Sequence, residues 1–259
     1  MDVAPFSAHD VNLPTSAVEG FKTLPDGSDL LWGLSRREFG PMSFRNRPSW
    51  DVAHNRMQFL QLNDLKIDNV VSPALEHTTN VRIVTRDDRG KGARNLDKAF
   101  PETDALLTCD TNLVLMTTHA DCLPVWLVSP STGWIGMAHV GWKGLLGGLI
   151  TNQIAELPDD ARRDCHIAIG PGISAKNYEV GPDLGEKFRS DPVLAPAVLE
   201  MEGRIHLNLM DGAKRQAEAA GAMVETGTFA CTYDNRYLSS FRRDGDSFAP
   251  MAAFIVRRS

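Results

Sequence analysis

The sequence predicts an α+β fold in a single domain, with mixed β-sheets packed against helices, and three observations carry that prediction. Short apolar runs of strand length are interspersed with stretches of helical periodicity, but without the regular βα alternation of a doubly wound sheet. The chain has 259 residues, 42% hydrophobic and 23% charged, enough for a sizeable core in one large domain. No repeat or low-complexity tract interrupts the order of elements.

Residues 1–25 are polar, contain prolines and lack periodicity. They read as an N-terminal extension or an edge segment, which leaves residues 26–259 as the domain. Leu30 to Leu34 is a strand, and Gly40-Pro41 marks a turn. From Trp50 the pattern becomes helical, with Val52, Met57, Phe59, Leu60 and Leu62 as its apolar face and Ser49 or Asp51 as its cap. Asn55 and Arg56 lie within that helix. Val70-Val71 and Val81 to Val84 are strands, and the charged, glycine-containing span Asp87 to Arg94 reads as a mobile loop.

The centre of the chain is denser in signals. Leu113 to Met116, Val125 to Val128 and Trp134 to Ala138 are buried strands. Their ends deliver Cys122 and His139 to one region. Lys143 to Leu157 carries Leu145, Leu146, Leu149, Ile150, Ile154 and Leu157 on one helical stripe. Gly144, Gly147 and Gly148 cost that helix roughly 1 kcal/mol each relative to alanine, so close backbone approach is the expected compensation. Its N-terminal N–H groups, just after His139, would suit an anion. Cys165 to Ile169 is a strand running into Gly170-Pro171-Gly172. Ile205 to Leu209 leads into a helix from about Met210 to Ala220, closed by Gly221 as its C-cap. Thr226 to Cys231 and Phe248 to Val256 close the chain as strands.

Composition excludes several function classes. The net charge is −6 and no Lys/Arg cluster forms a basic face, which argues against a nucleic-acid partner. No apolar run approaches the roughly 18 to 20 residues needed to span a bilayer, so no membrane partner is expected. The N-terminus lacks the pattern of a signal peptide. Cys109, Cys122, Cys165 and Cys231 are scattered without a Cys-x-x-Cys pair and read as free thiols of a cytoplasmic protein. The sequence specifies no oligomeric state.

Cys122 and His139 together make a soft ligand pair of the kind zinc or copper prefers, and a catalytic zinc needs a third ligand. His77, His119, His166 and His206 are the candidates. A metal-independent reading makes Cys122 a nucleophile, His139 its base and Asp121 the orienting carboxylate. Each residue also has a plain structural reading: Cys122 as a small buried hydrophobe, His139 and His119 as core histidines, and Asp121 as an acceptor of backbone N–H bonds. His119 and Asp121, two residues apart, would share a strand face. Arg242 and Arg243 are either a solvated pair or a guanidinium fork for phosphate.

Ala120-Asp121-Cys122-Leu123-Pro124-Val125, followed by Ala138-His139-Val140-Gly141-Trp142-Lys143-Gly144, resembles the laccase-domain, polyphenol oxidase-type family. Members of that family also carry the names purine nucleoside phosphorylase and peptidoglycan editing factor. Supporting matches include Gly33-Leu34-Ser35 with Arg37, Asn55-Arg56, His77, Asp104-Ala105-Leu106, Ile169-Gly170-Pro171, Tyr178 to Gly181, Cys231-Thr232 and Phe241-Arg242-Arg243.

The resemblance implies an α+β catalytic domain with zinc on His77, Cys122 and His139. It also implies phosphate-dependent cleavage of adenosine, inosine, guanosine or methylthioadenosine, with adenosine deamination as a companion reaction. Purine nucleoside and phosphate are then the partners, with Arg56, Arg37, Arg242 and Asn55 as candidate binding residues. Copper-linked polyphenol oxidation is the alternative activity, and copper the alternative metal. Three departures mark this chain: His119 where threonine is common, Thr78 where glycine is usual, and a shortened region from Met42 to Asp51. His119 and Asp121 are candidate accessory groups.

Overall fold

The central strands are buried on both faces, and successive side chains enter different layers, as Val125 and Leu127 pack on one side of β7 (Leu123–Ser129) and Trp126 and Val128 on the other. The computed structural model describes residues 18–45, 47–225 and 230–259. Side by side in one sheet lie β1 (Val18–Thr23), β2 (Asp29–Leu34), β14 (Met251–Arg258), β6 (Val114–His119) and β3 (Val70–Val71). β14 is antiparallel to both β2 and β6, and β3 runs parallel to β6. A second sheet has, in order, β13 (Met223–Glu225), β9 (His166–Ile169), β7 (Leu123–Ser129), β8 (Trp134–Val140), β5 (Ala105–Thr108) and β4 (Val81–Ile83). A small antiparallel sheet joins β10 (Glu179–Val180), β12 (Arg204–Leu207) and β11 (Val198–Met201).

The two large sheets face each other. Leu30, Trp32, Leu115 and Ile255 of the first pack with Trp126, Val128, Ile135 and Met137 of the second. Each such side chain contributes about 1.5–3 kcal/mol on full burial. The indole Nε1–H of Trp126 donates to Phe254 O at 2.9 Å, tying the layers through a polar group that burial would otherwise penalise. Helix α1 (Ser49–Gln61) covers the outer face of the first sheet, where Phe59 and Leu60 meet Met116 and Phe254. The outer face of the second is covered by α2 (Trp142–Leu146), α3 (Leu149–Ala155) and α4 (Asp159–Arg163), with α6 (Leu209–Ala219) beside them. α5 (Pro182–Arg189) abuts β12, and α7 (Phe241–Asp244) lies in the last loop. This is the α+β single domain expected. Among the described residues, no helix is long and apolar enough to cross a membrane.

Several local expectations are corrected. Pro48 is the N-cap of α1; Ser49 and Asp51 lie inside its first turn, and neither side chain caps it. The buried stripe is Val52, Ala53, Arg56, Phe59 and Leu60, which are one turn or two apart, while Met57 and Leu62 fall off that stripe and are exposed. The helix expected from Lys143 to Leu157 is two short ones, broken where Gly148 takes a left-handed φ of 77°. α2 has five residues, too few to supply the helix N-terminus foreseen for an anion. The Asp87 to Arg94 loop is pinned: Gly90 N donates to Val70 O, Ser72 N to Lys91 O, and Arg56 to the carbonyls of Gly92 and Ala93. Of the strand expected from Thr226 to Cys231, residues 226–229 lie outside the described residues, and Cys231 forms an isolated bridge to Gly172.

Candidate metal centre

Strand parity brings the central residues together. On β8, Ile135 and Met137 face the space between the sheets, so His139, two residues on, does the same. On β6, Leu115 faces that space, and so does His119 at the strand end. Cys122 stands in the tight connection between β6 and β7. Asp121 precedes it with φ 85°, a left-handed conformation held by three bonds. Its carboxylate accepts from Thr232 Oγ1 (2.6 Å) and Arg242 N (2.7 Å), and its carbonyl from Ile173 N (3.0 Å). Both carboxylate oxygens are thus engaged in holding the turn, as the structural reading of Asp121 has it.

His77 arrives from the loop between β3 and β4, also at positive φ (60°). Asp104, fully buried, holds that loop: its carboxylate accepts from the backbone N–H groups of Glu76, His77 and Thr78 and from Thr78 Oγ1, at 2.7–3.2 Å. The same residue's carbonyl accepts from His139 N at 2.8 Å. Asp104 therefore fastens two distant chain segments to each other. Sequence reasoning quoted it within a motif but gave it no task; the signal was a lone acid at the mouth of an apolar strand.

One nitrogen of His77, one of His139 and the sulfur of Cys122 lie within 4.8 Å of one another, the only such convergence of three or more His, Cys, Asp or Glu among the described residues. Cys122 Sγ is 4.0 Å from His77 Nε2, and the rings of His77 and His139 meet edge-on at 5.1 Å. His139 Nδ1 lies 2.7 Å from Thr118 O, and a carbonyl only accepts, so the proton is on Nδ1 and the lone pair on Nε2. That Nε2 is buried without a partner. An orphaned buried lone pair beside a thiol and a second imidazole is what a metal ion would satisfy. Tetrahedral zinc, at ~2.3 Å from sulfur and ~2.05 Å from nitrogen, sets sulfur and nitrogen ~3.6 Å apart, so a slight closing of the group suffices. The donor set fits zinc with an open fourth position, and it suits copper too.

Protonation follows from surroundings. The protein around His77 lowers its pKa, helped by Lys143 and Arg45 and opposed by Asp104. His139 is lowered to about 4, by burial first and by His77 next. Cys122 is raised to about 12 by burial and by the negative charges of Asp121 and Asp104. At neutral pH the group is two neutral imidazoles and a thiol, and a cation would convert the thiol to thiolate. A metal-free cysteine nucleophile needs a lowered thiol pKa; Cys122 shows the opposite shift.

The remaining candidates separate. His119 has both ring nitrogens engaged, with Thr117 Oγ1 at 2.7 Å and Cys122 O at 3.2 Å. His166 pairs with Glu225, and His206 donates to Ala175 O. Arg56 is a structural clamp, with Nε and Nη1 on the carbonyls of Met42, Gly92 and Ala93 and its guanidinium over Phe44. This corrects its expected place at phosphate. Asn55 likewise donates to Pro41 O, and Arg37 pairs with Asp244. Arg243 binds Asp244 and four carbonyls of the loop from Thr232 to Leu238. Arg242 stands beside Asp121: its backbone N–H is on that carboxylate, Nη1 donates to Glu179 O (3.1 Å) and Asn177 O (3.4 Å), and its guanidinium lies over the ring of Tyr178, whose pKa is raised by burial first and by Cys122 and Asp121 next. Lys143 and Arg45, both exposed, complete a positive rim near His77. Neither was singled out from sequence as an anion ligand. All four cysteines are free thiols.

The chain is similar to proteins whose names indicate a reaction. The purine nucleoside phosphorylase YlmD of Geobacillus stearothermophilus is 30% identical over 219 residues, covering 80% of this chain and 79% of that protein. A purine nucleoside phosphorylase of Deinococcus radiodurans is 37% identical over 158 residues, 60% of this chain and 62% of that one. Among solved structures, the Bacillus licheniformis hypothetical protein YfiH superposes with a TM-score of 0.82 at 25% identity, over 91% of this chain and 98% of the other. The crystal structure of Geobacillus stearothermophilus YlmD superposes with a TM-score of 0.80 at 27% identity, over 89% and 92%. Residues 43–258 match the family model described as multi-copper polyphenol oxidoreductase laccase, and the chain belongs to that family.

Proposed function

We propose that this chain is a zinc-dependent purine nucleoside phosphorylase, acting on adenosine, inosine, guanosine or methylthioadenosine, with adenosine deamination as a second activity. One observation carries the metal reading: His77, Cys122 and His139 converge around the unpartnered Nε2 of buried His139. Relatives named purine nucleoside phosphorylase support the reaction. His77, Cys122 and His139 would hold the metal, which when bound supplies Lewis-acid chemistry at neutral pH.

The chain's own groups do the rest. Arg242, Lys143 and Arg45 form the positive rim that would hold phosphate close to the ribose. A phosphate oxygen bonds to C1′ as the C1′–N9 bond breaks; the electron pair of that bond leaves on the purine, which takes up the proton that hydrogen phosphate gives up. Arg37 and Asn55, engaged elsewhere, are not needed for this step. Catalysis is assigned to residues 26–259, with residues 1–25 as an extension or edge. Free thiols support a reducing, cytoplasmic setting.

Incubating the purified protein with inosine, with and without phosphate, tests the reading. Hypoxanthine and ribose 1-phosphate should form together and only with phosphate, and adenosine should release ammonia. Base release that ignores phosphate, or none from any purine nucleoside, rejects the phosphorylase. Oxygen uptake with a phenol by copper-loaded protein, without nucleoside turnover, would favour the family's oxidoreductase name.

A further inference from the structure

We propose that His119 is a positioning residue, which sets the Cys122 sulfur and the His139 ring for the metal without binding it. The inference rests on the metal reading above. Its basis is geometric. The ring is buried, 1% exposed, and both nitrogens are in use. Cys122 O, 3.2 Å from Nδ1, can only accept, so Nδ1 is the protonated nitrogen. Nε2 is then the acceptor, and Thr117 Oγ1–H donates to it at 2.7 Å. Such a ring has no lone pair to offer a metal.

Two of its contacts act on members of the metal group. The Nδ1–H bond ties down the carbonyl of Cys122 itself, within a turn whose preceding residue has φ 85°. Ile173 N, on Asp121 O, holds the same turn one peptide earlier. The ring also stacks on His139, with centroids 5.0 Å apart and planes 20° from parallel. His139 is thereby held twice, at Nδ1 by Thr118 O and across its face by His119. Its Nε2 stays directed to the place where Cys122 and His77 meet.

Cobalt(II), added to metal-stripped protein, is the probe, because a bound thiolate gives a near-ultraviolet charge-transfer band and the visible bands report the ligand set. Wild type should bind cobalt with that band. His119→Phe keeps a stacking ring and loses both hydrogen bonds. Its cobalt Kd should rise roughly 10- to 100-fold, with a shifted charge-transfer band and a cooperative thermal transition retained. His119→Asn, whose amide Nδ2 is bonded to Cγ as Nδ1 is and can again donate to Cys122 O, should recover most of the affinity.

Wild-type affinity and spectrum in His119→Phe overturn the proposal. So does equal loss in both variants with visible bands that signal one nitrogen ligand fewer, which would make His119 a ligand. If His119→Phe fails to fold, His119→Leu, which has no donor for the carbonyl, takes its place under the same criteria. Wild-type protein that takes up no cobalt removes the metal reading and this inference together, an outcome distinct from any difference among variants.

Discussion

Asp104 is buried, yet its carboxylate touches only backbone N–H groups and one hydroxyl, none of them a cation. Such a residue is kept for position: it holds His77 with its side chain and His139 with its carbonyl. Asp104→Asn replaces one acceptor oxygen with a donor facing N–H groups. We expect metal affinity to fall roughly 10- to 100-fold, read by competition with a chromogenic chelator. The protonation states give a second prediction. Cys122, raised to about 12, enters the complex as a thiol and leaves its proton behind, whereas both histidines are already neutral at pH 7. Binding should release about one proton, and apparent affinity should rise about tenfold per unit between roughly pH 7 and 9. Calorimetry in buffers of different ionisation enthalpy measures the proton; pH-independent binding would mean that the thiol is not a ligand. At this scale the sequence was partly legible. Cys122, His139 and, through a motif, His77 were identified, but side-chain type cannot reveal that Arg56 points into the protein while Arg45 points out of it.

The junction between β8 and α2 shows why an element ends where it does. Gly141 is the N-cap of α2, with φ −103°, a conformation any residue adopts. The reason for glycine is space: a Cβ there would lie 2.7 Å from Cys122 Sγ and 3.6 Å from His77 Cδ2. Gly141→Ala should therefore swing the Cys122 side chain away and weaken metal binding at least tenfold, an outer-shell effect of the usual size, while the fold persists. Equilibrium dialysis with zinc, alongside circular dichroism, tests this; unchanged affinity would show that the sulfur has another resting place. The central strands were legible because each is an apolar run bounded by polar residues. α1 was legible as a helix, though its buried face includes Arg56, which no hydrophobic pattern contains. The break at Gly148 was missed because the apolar stripe continues through it, and the left-handed turn resides in the backbone. β11 and β12 escaped as a pair, since Val198 to Met201 and Arg204 to Leu207 alternate weakly and are only part buried.

Across the whole molecule, the face-to-face packing of two sheets decides where the site can be. His139 and His119 point into the interlayer space at the ends of their strands, where the apolar filling gives way to polar groups. Trp126, 1% exposed, bridges the layers through Phe254 O. Trp126→Phe should lower the unfolding free energy by about 2–4 kcal/mol, from a smaller ring and a lost buried hydrogen bond, as measured by urea denaturation. A change under 1 kcal/mol would mean that water or repacking replaces the bond. The sequence revealed the class of fold but not this pairing of sheets, because strand order depends on contacts between residues as remote as β2 and β14. The central claim is that His77, Cys122 and His139 share one metal ion. Elemental analysis of the purified protein by mass spectrometry, for wild type and for His77→Ala, Cys122→Ala and His139→Ala, tests it most directly. The account predicts about one zinc per chain in wild type, as for a three-ligand site with an open fourth position, and little in any of the three folded variants. Wild-type protein without stoichiometric metal, or metal retained when Cys122 and His139 are both replaced, would contradict it.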